Sequence, residues 1–350
     1  MLGVPVETTE VNPFLVDAIK SRTHKHDVDE LARALRFVRQ RARQFPADPD
    51  ERFHNLPPTF LSPGKNGRYI FGRSVAGRIA SLLAAIDQVD GDDMQRFFRV
   101  IVGGFLVDVS NVIVSGKGRR YRRRMIDDAE VAALVDDIFA ERSATAVRDV
   151  MSFADRPSTP VTVHLGDART HDPDPEIDRS VFSPPYPNSF DYTDVYNLEL
   201  WVLGYLKNSV DNRSLRQSTL TSHVQVAREF APAPNGSAAL LRTQAALAEV
   251  ANGLWDRRLP SMIDAYFSDM LGVLNRINRR MASGGEAWMV VGDSQYAGVP
   301  VPVAQILGEL ASQNHWQLVH STSIRHMRSS AQQGGSRDLP ESLVVLRREG

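Results

Sequence analysis

The sequence contains no cysteine, and this removes disulfide bonds, thiolate metal sites and cysteine nucleophiles in one step. An excess of either charge is missing too: the formal net charge is −1, so affinity for a polyanion has to come from a local basic cluster and not from a global field. No long apolar run is free of charge. The most apolar stretch, residues 97–114, carries Arg99 and Asp108 and encloses Gly103-Gly104, so it reads as a buried helix and not as a membrane span. The N-terminus lacks the charged-then-apolar pattern of a secretory leader, and no internal repeat is visible. No set of His, Asp and Glu has metal-ligand spacing, and no phosphate-binding lysine loop is present. These absences predict a cytoplasmic protein with no metal site. With 350 residues the chain can bury a large core, as one enlarged α/β domain or as a domain with a sizeable helical insertion.

What is there falls into three stretches. Residues 4–11 read as a strand ending in an acidic residue, followed by Asn12-Pro13 and a helix over 14–20. From 27 to 156 the pattern is helical, with apolar residues repeating at three and four over 27–44, 72–89, 92–109 and 127–151 and a proline- and glycine-rich connection over 45–68. After Pro160 the texture changes. Residues 161–165 form a strand closed by Gly166-Asp167, and 179–182 form a second strand running into a double proline. Strand, connection, strand predicts a parallel sheet. Residues 195–280 read as helices interrupted by a loop at 231–236. A β-rich run at 286–291, a helix at 303–313 and an antiparallel pair, 317–324 with 342–347, complete a doubly wound α/β domain. The predicted divisions are therefore 1–26, 27–156 and 157–350, the middle one a helical insertion.

The tetrapeptide Ser183-Pro184-Pro185-Tyr186 sits where the second of these strands ends, which is where open α/β sheets place their ligands. Its residue types suit one task. An exocyclic amine of adenine or cytosine is a poor nucleophile because its lone pair is delocalised into the ring, so a catalyst has to accept hydrogen bonds from the NH2 and hold it in place. Ser183 and the Pro184 carbonyl supply such acceptors, proline having no competing N–H. Tyr186 offers a face on which an extruded base can stack. A lone Pro-Pro-Tyr is more often an ordinary turn; here the motif continues through Pro187-Asn188-Ser189-Phe190-Asp191-Tyr192, whose aromatics suit the wall of a base pocket or plain core, and Gly292-Asp293-Ser294 reads as a loop lining the same cleft.

On these residues the chain resembles the S-adenosylmethionine-dependent amino-methyltransferases of DNA, whose motif reads Ser/Asp-Pro-Pro-Tyr. The resemblance covers 4–20 and 161 to the C-terminus, with no motif in the helical middle. It implies a Rossmann-like sheet, mostly parallel with an antiparallel C-terminal pair. It also implies S-adenosylmethionine as cofactor, with Ser183, Pro184, Pro185 and Tyr186 as the catalytic set. Glu10 would take the ribose hydroxyls, Asp167 the adenine amine, and Asn12 and Ser183 would line the same site. Helix capping remains open for Glu10, and a turn role for Asp167. Serine at the motif's first position leans toward cytosine N4 over adenine N6, in a restriction-modification or defence setting. RNA methylation and a noncatalytic DNA-binding or interaction subunit are the alternatives.

One departure stands out. The family's glycine-rich cofactor loop is absent: Gly103-Gly104 reads as helix, Gly284-Gly285 as the turn before a late strand, and Gly334-Gly335 as a basic loop. In the family sheet the strand before that loop is central, between the strand ending at Glu10 and the one ending at Ser183, and a gap there leaves backbone groups unpaired. The expectation is that the central first strand is missing and that a second polypeptide supplies it with the loop; a misplaced start and a decayed remnant are the rival explanations. DNA itself is expected to meet Lys117, Arg119, Arg120, Arg122, Arg123 and Arg124, six basic residues within eight placed between helices, since arginine forks match phosphate oxygens; a solvated charged face is the plain alternative. Arg325, His326, Arg328 and Arg337 form a second, weaker set. His164, on a strand, reads as a satisfied buried histidine.

Overall fold

The computed structural model describes residues 3–115, 118–157, 159–173, 176–328 and 338–350. Within them the chain is a mixed α/β protein of two compact units, Met1–Leu165 with Thr193–Ser214 and Gly166–Tyr192 with Leu215–Gly350. The N-terminal strand and the helical stretch thus share a unit, where the sequence suggested divisions at 26/27 and 156/157. Among the described residues no helix is long and apolar enough to cross a membrane.

The first unit opens with β1 (Val6–Glu10) and α1 (Pro13–Thr23), continues through α2 (Val28–Gln44), α3 (Pro49–Arg52), α4 (Arg73–Ile86) and α5 (Asp92–Gly103), and turns into a hairpin, β2 (Val112–Ser115) and β3 (Gly118–Tyr121). Helix α6 (Asp128–Ser152) and strand β4 (Val161–Leu165) follow, and the returning segment adds α7 (Tyr192–Val195), α8 (Asn197–Val202) and the start of α9 (Ser209–Ser218). Strands β1 and β4 pair in parallel, Val6 opposite Val161 and Glu10 opposite Leu165. Helix α4 is the hub: Val75, Ala76, Ile79, Ala80, Leu82, Leu83, Ala85 and Ile86 are all buried, with α2, α5 and α6 against it. Two of these helices begin where an aspartate and a glutamate three residues on mark a start. Asp27 accepts from the Glu30 amide at 2.9 Å and Asp127 from the Glu130 amide at 3.1 Å.

The start of α4 is capped from outside its own segment. Its N-cap is Gly72, which has no side chain to cap with, and Asp128 of α6 accepts from the Ser74 and Val75 amides at 2.9 and 3.0 Å instead. A Cβ on Gly72 would lie 2.0 Å from Asp128 Oδ1, so glycine is what lets the carboxylate in. Asp128→Ala is expected to cost about 1–2 kcal/mol by stripping the cap, read as a lowered urea midpoint with an unchanged slope; an unchanged midpoint would show that α4 needs no borrowed cap.

One sequence expectation fails in this unit. The apolar run 97–114 is not one helix: α5 ends at Gly103, where a side chain would come within 2.6 Å of the buried Phe14 ring, and the chain turns before entering β2. The basic run does fall between two helices, α5 and α6. Its described part lies on and just after β3, which pairs antiparallel with β2, Ser115 opposite Gly118 and Val112 opposite Tyr121.

The second unit contains β5 (Ile177–Phe182), α10 (Ala238–Glu249), α11 (Leu259–Arg280), β6 (Met281–Gly292), β7 (Ser294–Tyr296), β8 (Val299–Val301), α12 (Val303–Ser312), β9 (Trp316–Arg328) and β10 (Asp338–Arg348). Four strands form one sheet in the order β5-β6-β10-β9. Strands β5 and β6 run parallel, and β10 is antiparallel to both its neighbours, which is the terminal antiparallel pair the sequence suggested. Ile263, Phe267 and Met270 of α11 and Ile306, Leu307 and Leu310 of α12 pack with Ala287, Met289 and Val291 of β6 into its core. Strand β6 starts earlier than expected. Gly284-Gly285 is not a turn ahead of it but an irregularity within it, Gly284 at φ 75, where the register with β5 shifts between Ile177 and Arg179. The β7–β8 hairpin was not foreseen; Ala297 and Gly298 turn it with φ of 47 and 84, the positive pair a tight hairpin needs. Strand β5 is an edge strand, and Val181 on it is 74% exposed.

Candidate functional site

The tetrapeptide follows directly from the C-terminal end of β5, and the sheet next to it shapes its side chains. Ser183 Oγ donates to the Val290 carbonyl of β6 at 3.1 Å and lies 3.3 Å from Tyr186 Oη. Tyr186 Oη donates to Glu341 Oε1 at 2.6 Å, and Glu341, 3% exposed, is gripped by the Arg325 guanidinium through Nε and, at 3.0 Å, through Nη2. Burial and the neighbouring carboxylate push the Tyr186 phenol up to about 12, while Arg325 holds Glu341 below the usual carboxylate range. The phenol therefore stays protonated and the carboxylate ionised at neutral pH.

The loop beyond is pinned by several separate contacts. Tyr296, fully buried on β7, donates to the Pro187 carbonyl at 2.8 Å, and Gln225 donates to the Ser189 carbonyl at 3.1 Å. Tyr192 Oη accepts from the Tyr186 amide at 3.3 Å, and Asn188 turns the chain by accepting from the Phe190 amide at 3.1 Å. Ser189, 4% exposed, sits at φ 56, a conformation that costs a non-glycine residue energy and survives where its surroundings impose it. Phe190 and Tyr192 stack edge to face at 4.9 Å. This is a preset loop, not a loose turn, with Ser183 exposed, Pro184 buried and Tyr186 partly buried.

Three residues outside the tetrapeptide support this site. Gly292, at the end of β6, has no room for a Cβ: one would meet the Tyr186 ring at 2.6 Å and Met327 at 2.4 Å, so the bare backbone makes the slot for the tyrosine. Glu341, which sequence reasoning missed, and Arg325 are the others; Arg325 belongs to the second, weaker basic set expected to meet DNA. Asp293, next to Gly292, accepts from the Val303 amide at 2.8 Å and so caps α12; burial pushes its carboxyl up to about 6.

The remaining candidates divide. Glu10 ends β1, accepts from the Asn12 amide at 2.8 Å and is shifted upward chiefly by burial. Asn12 is the N-cap of α1, its Oδ1 accepting from the Phe14 amide at 3.0 Å. In the second unit, Asp167 is engaged by Arg169, whose Nε lies 3.0 Å from both carboxylate oxygens and whose Nη2 reaches Oδ2 at 2.6 Å; Arg169 also clasps Asp269 at 3.0 Å. His164 is not fully buried; it meets Glu7 at 3.1 Å.

Of the basic run, Lys117 lies outside the described residues, as do Arg337 and Gly334-Gly335. Arg122 turns inward: its Nε donates to the Ser110 carbonyl at 2.9 Å and its Nη2 to that of Val107 at 3.3 Å, stapling the reversal after α5. Arg119 holds Asp194, through its amide at 3.0 Å and its guanidinium at 3.6 Å. Arg120, Arg123 and Arg124 are exposed. The five described residues are thus not equivalent: one is structural, one is paired, and three are exposed.

Compared with known proteins, the chain is 32% identical over 145 residues to the Type II methyltransferase M.AvaI of Nostoc sp. (strain PCC 7120 / SAG 25.82 / UTEX 2576), and to the same extent to that of Anabaena variabilis. The alignment takes in 38% of this chain and 29% of each relative, so the chain matches less than a third of the length of these curated relatives. No family model matches, and no solved structure does. The homology links this part of the chain to the methyltransferases.

Proposed function

We propose that this chain methylates the exocyclic amine of a base turned out of DNA, with S-adenosylmethionine as donor and cytosine N4 favoured over adenine N6. The observation that carries the reading is the preset Ser183–Tyr192 loop, which holds an exposed hydroxyl at the tip of a sheet strand; the partial homology to a methyltransferase supports it.

The residues present fit the donor in part. Glu10 accepts one amide bond at Oε1, and a carboxylate with capacity beyond that suits a ribose hydroxyl pair. Asp167 fits less well, because Arg169 engages both of its oxygens; an adenine amine would have to share them. Asn12 contributes by fixing the start of α1. The donor, when bound, supplies an electrophilic methyl group. Everything else falls to the protein: Ser183 Oγ and the Pro184 carbonyl accept from the NH2, drawing its lone pair out of conjugation, and Tyr186 flanks the base. DNA phosphates are met by Arg120, Arg123 and Arg124.

A second polypeptide belongs to this proposal. An edge strand presents backbone groups that a further strand can pair; β5, which among the described residues pairs with β6 alone, is where a partner carrying a glycine-rich cofactor loop would add one. The test is to incubate the chain, alone and with its co-purifying partner, with DNA and methyl-labelled S-adenosylmethionine, then digest to nucleosides. Label is expected in N4-methylcytosine and to depend on the partner. Label in neither cytosine nor adenine under either condition sinks the proposal.

A further inference from the structure

The hydroxyl of Ser183 can serve the proposed reaction as an acceptor provided its own proton is directed elsewhere, and the surrounding bonds determine where it goes. Among the described residues Ser183 Oγ has two hydrogen-bonding neighbours, the Val290 carbonyl at 3.1 Å and Tyr186 Oη at 3.3 Å. The carbonyl can accept and cannot donate. The phenol can do either, but it carries one proton and lies 2.6 Å from Glu341 Oε1. Glu341 is ionised under the Arg325 guanidinium, so it is acceptor-only and takes the phenol proton in a short, charge-assisted bond. Tyr186 is then left as an acceptor toward Ser183. Both protein neighbours of the serine are acceptors, its single proton points into the protein, and its lone pairs are available to a ligand.

Resting on the reading above, the geometry points to Glu341, held by Arg325, as the positioning residue that sets the polarity of this chain and fixes Ser183 as an acceptor specific for an NH2 group. Glu341 lies at the start of β10, opposite Gly292 and beside the irregularity at Glu341/Ser342 in the pairing with β9, so the backbone there departs from regular pairing where the carboxylate meets the phenol. The site would favour a hydrogen-bond donor, an amine, over a carbonyl at the same place.

Removing the acceptor frees the phenol proton to bond Ser183 Oγ, where it takes one of the two lone pairs and competes with the amine. Glu341→Ala is expected to lower the single-turnover methyl-transfer rate about 10- to 100-fold, the range seen when supporting partners of active groups are lost, with the KM for DNA little changed. Tyr186→Phe added to that variant keeps the ring that flanks the base, removes the competing proton and should recover part of the lost rate. A merely structural role for Glu341 predicts no such rescue, and its absence would overturn the assignment. A second measurement needs no activity. In protein carrying 13C at the tyrosine ζ carbons, the Tyr186 signal, assigned by its loss in Tyr186→Phe, should shift in Glu341→Gln. An unmoved signal in Glu341→Gln overturns the inference even if the enzyme is active; a moved signal supports it even if no methyl transfer is found, in which case the reading of function alone fails.

Discussion

Ser183→Ala is expected to reduce methyl transfer by about 10²- to 10³-fold, the loss that follows from deleting one preorganised polar contact at a reacting centre. The substitution removes the acceptor that the amine meets and leaves Pro184, Pro185 and Tyr186 in place, because the loop is held by Tyr296, Gln225 and Tyr192 and not by the serine. Stability should fall by about 1 kcal/mol or less, since the Val290 carbonyl loses one exposed partner that water can replace. The kinetic signature separates this from a binding defect. An interaction made in the transition state lowers kcat and kcat/KM together, while DNA affinity, carried by phosphate contacts, stays. Rapid-quench measurement with enzyme in excess over DNA checks it; a variant that retains the wild-type rate would show that the amine does not meet Ser183.

The parts of this protein legible in its sequence are those set by local pattern. Helices α2 and α6 follow from apolar spacing and from Asp27 and Asp127 placed three residues before a glutamate. Strands β4, β5 and β6 and the β9–β10 pair follow from short β-rich runs, and four residues in a row single out the candidate site. What was not legible depends on contacts between distant residues. Tyr186 and Glu341 are 155 positions apart, and neither position carries a signal of the other. The β2–β3 hairpin was hidden because Val112, Ile113 and Val114 close an apolar-rich stretch, and periodicity alone does not separate a buried strand from a buried helix. Gly103 marks the true boundary through a clash with Phe14 that becomes visible in three dimensions. The basic run was read as uniform for the same reason: charge is a property of composition, but Arg122 faces two backbone carbonyls and Arg123 faces solvent, and the fold makes that distinction.

The pH dependence of the first unit should be governed in large part by one carboxyl. Glu199 sits in α8, 7% exposed, and its Oε2 meets no hydrogen-bond partner among the described residues. Burial pushes it up from 4.5 to about 7. Because the folded value lies above the unfolded one, the folded state favours the proton. The associated stability is fully present below about 4.5, fades as pH rises, and is gone above about 7, where the folded protein holds an ionised group that its surroundings do not compensate. Converted at 1.36 kcal/mol per pKa unit, the penalty above pH 7 is about 3 kcal/mol. Glu199→Gln keeps the shape and cannot ionise. It is therefore expected to raise stability by about 2–3 kcal/mol at pH 8 and to leave it nearly unchanged at pH 4.5, so the two proteins' denaturation midpoints should converge on acidification. Other shifted groups, Glu10 and Asp293 among them, act equally in both proteins and cancel in the difference. Parallel curves across pH 4.5–8 would mean that Glu199 is compensated after all, and that any loss of stability of this unit with rising pH originates elsewhere.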